Sequence, residues 1–189
     1  RYPSCSGARP RTADAARRQQ AGIPDSVSFR TKPQLAQDML SQVTAEGIPV
    51  QWVTGDTLYG NSPHLRQFIH DQGQWYVLAV GHRHYVHLAS GQRCQLRHLH
   101  NQLAGETWTT IEYRHSEKGP LAADWLALRV ALAREPEQAQ WLLIRCSHDE
   151  ERQYDFYLSN APLDTSLVDL VAVACTRHRI EVLFREAKN

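Results

Sequence analysis

The sequence predicts an α/β fold that carries an inserted antiparallel β subdomain. Three observations lead there. Between residues 31 and 80, helical and strand-like patterns alternate at the spacing of a β-α-β unit. Residues 81–160 switch to short β-like runs, several of them separated by turn-prone groups. The stretch Ser166–Asn189, SLVDLVAVACTRHRIEVLFREAKN, reads as one long helix without Pro or Gly.

The elements follow in order. Residues 1–28 hold Pro, Gly, Ser and Arg with few large apolar side chains, which predicts a loose basic arm with a short helix near Ala13–Gln20. Such an arm is a solvated linker or a DNA contact. Residues 29–189 are expected to form one domain. Thr31 caps a helix over 31–46, with Pro33 in its first turn, Gly47 after its end and Leu35, Met39, Leu40 and Val43 as its apolar stripe. A strand at 50–54 stops at Gly55-Asp56. A helix over about 62–72 turns Leu65, Phe68 and Ile69 inward. WYVLAV at 75–80 is nearly all apolar, as a strand covered on both faces must be. Strand runs are expected at 84–88, 107–114, 124–132, 139–146 and 153–159, inside an insertion of about 82–160. All five Trp, at 52, 75, 108, 125 and 141, fall in predicted strands, where core packing accounts for them.

Composition sets bounds. At 189 residues, 42% hydrophobic and 22% charged, the chain has enough material for a real core and does not read as disordered. No apolar run reaches 18 residues, so no membrane partner is expected. The formal charge is only +1, so any nucleic-acid binding must use a local basic stripe. Most cations are Arg, the better bidentate partner for phosphate. Cys5, Cys94, Cys146 and Cys175 form no C-x-x-C pair, which predicts reduced thiols in a cytoplasmic protein.

Two acids draw attention. Asp56 stands where a strand stops, the edge at which α/β sheets place their chemistry, although an Asp there also serves as a turn former or helix cap. On the terminal helix, Arg177, Glu181 and Lys188 fall within about 40° of one another at 100° per residue. Val173, Ile180, Leu183 and Ala187 gather on the neighbouring stripe, expected to face a core. A lone helical Glu is mostly solvated, and Lys188 near a helix end also suits a simple dipole contact. The His-rich run His82-Arg83-His84-Tyr85-Val86-His87, followed by His98 and His100, allows three readings: a metal site, a basic strand beside a DNA backbone, or a plain surface strand. No G-x-S-x-G elbow is present.

The strings WVTGDTLYGNSPHLRQFI and RHRIEVLFREAKN, with the spacing Arg177, Glu181, Lys188, resemble the second-aspartate segment and the final-carboxylate helix of bacterial insertion-sequence DDE transposases. Ala174 stands at that signature's tyrosine position. The stretch YRHSEKGPLAADWLALRV resembles part of the family's β-rich insertion, and the likeness runs from about Thr12 to Asn189. The resemblance implies a partial RNase H-like core and a DDE transposase that cleaves and joins DNA by two-metal-ion chemistry, the ions about 3.5–4 Å apart. It implies Mg²⁺ (or Mn²⁺) held by Asp56 and Glu181, weakly for want of a third carboxylate, with Arg177 and Lys188 on DNA phosphates. Transposon-end and target DNA, a homodimer and a nucleoid-associated place in the cytoplasm are implied with it. The family's first aspartate has no counterpart: Asp14, Asp25 and Asp38 lie in no apolar strand-like run, so the chain is expected to be N-terminally truncated. The alternative is a catalytically dead remnant that binds only DNA or an intact transposase. A truncated core would leave an open apolar edge beside 50–54 and lower solubility.

Overall fold

A computed structural model describes the backbone of residues 15–24, 26–99, 102–103, 105–116, 119–132 and 135–186, and their side chains except at 15, 114–116, 135–138 and 177–186. The elements are α1 (Ala15–Gln20), α2 (Lys32–Ala45), β1 (Trp52–Gly55), α3 (Thr57–Gly60), α4 (Pro63–Asp71), β2 (Trp75–Val80), β3 (Tyr85–His87), β4 (Arg93–Gln95), α5 (Leu96–Leu99), β5 (Thr109–Ser116), β6 (Gly119–Leu132), β7 (Glu135–Ser147), β8 (Tyr154–Ser159) and α6 (Leu167–Glu186).

The architecture is mixed α/β on a mostly antiparallel sheet. Strands run in the order β1-β2-β8-β7-β6-β3-β4, with β5 also on β6. The pair β1–β2 is parallel, in register Trp52↔Trp75 to Gly55↔Leu78, and α3 and α4 form its crossover. Every other described pairing is antiparallel. Strand β8 hydrogen-bonds directly to β2, from Val77↔Ser159 to Val80↔Phe156. Asn160 secures that junction: its Oδ1 accepts from Tyr76 N at 2.8 Å and its Nδ2 donates to Gln74 O at 3.0 Å.

Period-two alternation divides the core between the two faces of the sheet. Tyr76, Leu78 and Val80 of β2, Leu142 and Ile144 of β7, and Phe156 and Leu158 of β8 pack with Leu65 and Ile69 of α4. Val86, Cys94, Leu96 and Leu99 extend that layer under β3, β4 and α5. On the other face, Val77, Trp125 and Leu143 meet Leu170, Val171 and Ala174 of α6. Covering both faces is why the run 75–80 is apolar throughout.

Helix starts match the chemistry of their caps. Thr31 and Gln34 form a capping box on α2, Ser62 accepts from Leu65 N, and Ser166 accepts from Asp169 N at 3.1 Å. Three expectations need correction. Leu35 and Met39 do not face the core; they are 47% and 66% exposed, because α2 lies over α3 and α4 and half-buries Ala36, Leu40 and Val43 instead. Trp108 sits one residue ahead of β5 and not in a strand. Strands β6 and β7 begin at 119 and 135, well before their apolar runs, since backbone pairing continues where apolar patterning stops. The buried stripe of α6 is Leu170, Val171 and Ala174, with Val173 half-buried; the side chains of Ile180 and Leu183, and Ala187 altogether, lie outside the described residues.

Candidate active site

Asp56 follows the last residue of β1 and begins α3. Its Oδ1 accepts from Leu58 N at 2.9 Å, and its carbonyl accepts from Tyr59 N and Gly60 N at 3.1 and 2.9 Å. The side chain is half-buried at the carboxyl end of a parallel strand. Capping occupies one oxygen with one N–H and leaves the carboxylate further acceptor capacity, which suits an acid that also meets a hard cation.

The turn that carries Asp56 is fixed from below. Gly60 lies so close to β2 that an added Cβ would stand 1.9 Å from Ala79 O, so only glycine fits. The buried Arg66 of α4 donates from Nη1 to the Gly60 carbonyl. Asn61 Oδ1 accepts from Gly81 N at 3.1 Å, tying the turn to the residue after β2. These contacts set the height of Asp56 above the sheet edge. Sequence reasoning missed Arg66 and Asn61 as supports; the only available signal was the run Gly60-Asn61-Ser62-Pro63, which announces a tight turn before α4.

A shallow cleft lined by Asn61, Gly81, Arg83 and His84 lies between this turn and the segment that leads into β3. The His-rich run lies here. Among the described residues no group of three or more His, Cys, Asp or Glu is placed to hold a metal ion.

Arg177 and Glu181 lie four residues apart in α6. Residues at that spacing neighbour one another along a helix. Helix α6 packs on β1 and β2, so the helix whose sequence includes Glu181 covers the strand that ends just before Asp56. The side chains of Arg177 and Glu181 lie outside the described residues, as does Lys188 entirely. Ala174 is buried at 7% exposure in the core cluster that holds Val77 and Leu143. Of the upstream acids, Asp14 and Asp25 lie outside the described residues, and Asp38 is paired with Arg30 at 2.8 Å on the exposed side of α2.

No curated protein matches the chain. A family described as DDE superfamily endonuclease matches residues 6–105, a span that includes Asp56, its supporting turn and the His-rich run and stops before Glu181. That match covers more than half of the sequence, and on it the chain belongs to the DDE superfamily endonucleases.

Proposed function

We propose that this chain is the catalytic domain of an insertion-sequence transposase, with an RNase H-like core, acting on transposon-end and target DNA. Membership of the DDE endonucleases supports a nuclease acting on DNA. What supports the finer reading is Asp56 directly after the last residue of β1, and a helix, α6, that packs on β1 and β2 and whose sequence supplies Glu181. In this reading Asp56 and Glu181 hold Mg²⁺ or Mn²⁺. A divalent pair supplies Lewis-acid activation of the attacking oxygen and stabilises the leaving one. The chain's own residues do the rest. Gly60, Arg66 and Asn61 keep Asp56 in place, and Arg177 and Lys188 bind phosphates beside the scissile bond. A homodimer on nucleoid DNA in the cytoplasm is part of the proposal.

A second reading, a module that binds DNA or an intact transposase without cutting, draws on Asp38: its ion pair with Arg30 on an outer helix removes it as a third carboxylate. One comparison separates the two. Asn caps a helix as well as Asp does, so Asp56→Asn keeps the turn and removes the charge. Under the transposase reading, Mg²⁺-dependent nicking of terminal-repeat DNA falls at least about 100-fold in Asp56→Asn and in Glu181→Gln, a loss of about 2.7 kcal/mol in barrier lowering. Both variants should melt within a few degrees of the parent. Nicking undiminished in both would sink the site assignment, and no nicking by the parent would favour the binding module.

A further inference from the structure

We infer that the outward face of β3, β4 and α5 is a phosphate track for duplex DNA, leading to the turn that holds Asp56. The inference deepens the proposed function by assigning the substrate a surface, and its first support is charge. Between Asp71 and Glu106 the chain has no acidic residue, yet it carries Arg83, Arg93, Arg97 and five His. A protein of net charge +1 has concentrated cations here without counter-charge.

Geometry exposes the three Arg of this stretch. In the hairpin, Val86 and Cys94 point into the core at 0% and 4% exposure, so Tyr85, His87, Arg93 and Gln95 take the other face. Arg93 stacks over the Tyr85 ring at 4.0 Å, which holds the guanidinium in one orientation for bidentate donation. In α5, Leu96 and Leu99 are buried, and Arg97 and His98 are exposed and joined at 3.0 Å. One backbone and one side-chain bond bring the ends together: Arg97 N donates to His82 O at 2.9 Å and the Gln95 side chain donates from Nε2 to Arg83 O at 3.0 Å. Arg83 then lines the cleft with Asn61, whose turn is the one Asp56 caps.

The cations are also unneutralised. Arg30 and Arg145 each hold a carboxylate, at 2.8 and 2.7 Å, whereas Arg83, Arg93 and Arg97 pair with none among the described residues. Duplex DNA fits such a surface because phosphates recur along it and its binding is dominated by displaced counterions.

The test uses the full chain in EDTA with a fluorescein-labelled DNA duplex of arbitrary sequence, its affinity followed by anisotropy over a series of NaCl concentrations. Arg83→Ala/Arg93→Ala/Arg97→Ala should flatten the plot of log K against log[NaCl] by about two to three units, near one per lost phosphate contact. Arg30→Ala/Lys32→Ala/Arg152→Ala removes three exposed cations elsewhere and should leave the slope within about one unit of the parent. Equal flattening in both variants, an unchanged slope in the first, or no DNA binding by the parent overturns the track. A parent that prefers an RNA duplex of the same sequence overturns the DNA assignment. Nicking that ignores Asp56→Asn defeats the proposed function while leaving this surface standing on its slopes.

Discussion

Gly60 is the residue whose identity is least negotiable. Its Cα faces the Ala79 carbonyl, so Gly60→Ala must push α3 off β2 and carry Asp56 with it. The expected cost is about 3 kcal/mol, the upper range for forcing atoms into a packed site, read as a lowered urea midpoint. A variant as stable as the parent would show that the turn is not seated there. Asp124 offers a titration test. The Thr110 hydroxyl, at 2.7 Å, and then the His148 ring, at 2.9 Å, hold its carboxyl below the ordinary value of 3.8. A carboxylate lowered in the folded state stabilises at pH above its unfolded value, and that contribution disappears as pH falls through the folded one. Asp124→Asn should therefore cost about 1 kcal/mol at neutral pH and progressively less below about pH 4. A difference that persists unchanged into acid would contradict the assignment. Asp56 itself was readable from the sequence because an acid after an apolar strand is a local pattern. Arg66 was not: a buried Arg looks like any helical Arg until the Gly60 carbonyl above it is known.

At the scale of elements, legibility followed whether a signal is local or tertiary. Helix starts are local: Thr31 was legible as a cap and Pro63 as a first-turn residue, and α2 and α4 begin there. Strand β4 and helix α5 span three and four residues, too short for a period to register. Amphipathicity in α2 says that one side is apolar and not that a partner will cover it, so Leu35 and Met39 remain in solvent. Leu35→Gln or Met39→Gln should therefore shift stability by under about 0.5 kcal/mol. Ile69→Ala in α4, at 0% exposure, should cost about 2–5 kcal/mol in the same denaturant titration. Helix α6 can be followed through Cys175, whose thiol burial pushes up to about 11. In a Cys5→Ala/Cys94→Ala/Cys146→Ala background, thiol reagents should modify Cys175 only as fast as α6 leaves the sheet. Rapid modification of the folded protein would show that the helix carrying Glu181 is not docked on β1 and β2.

At the scale of the whole molecule, the described sheet ends on the parallel strand β1. Strand β1 pairs with β2 and, on its far side, with no strand among the described residues. An open edge of this kind exposes a row of backbone donors and acceptors that another chain can join. Large apolar side chains are exposed on the segments that precede β1 in the chain: Phe29 at 58% and Ile48 at 50%, with Leu35 and Met39 one turn apart on α2. Only the edge was foreseeable from the pattern of 50–54 and 75–80; the exposed residues of α2 add to it. Edge and apolar surface together predict self-association at concentrations where a finished domain stays monomeric. Light scattering of the purified chain should rise with concentration, and Leu35→Lys/Met39→Lys should reduce that rise at unchanged thermal midpoint. If the parent elutes as a sharp monomer at every concentration, the edge is shielded in solution and the association argument fails. If scattering persists in the double variant, the contact runs through the backbone of β1 and not through α2.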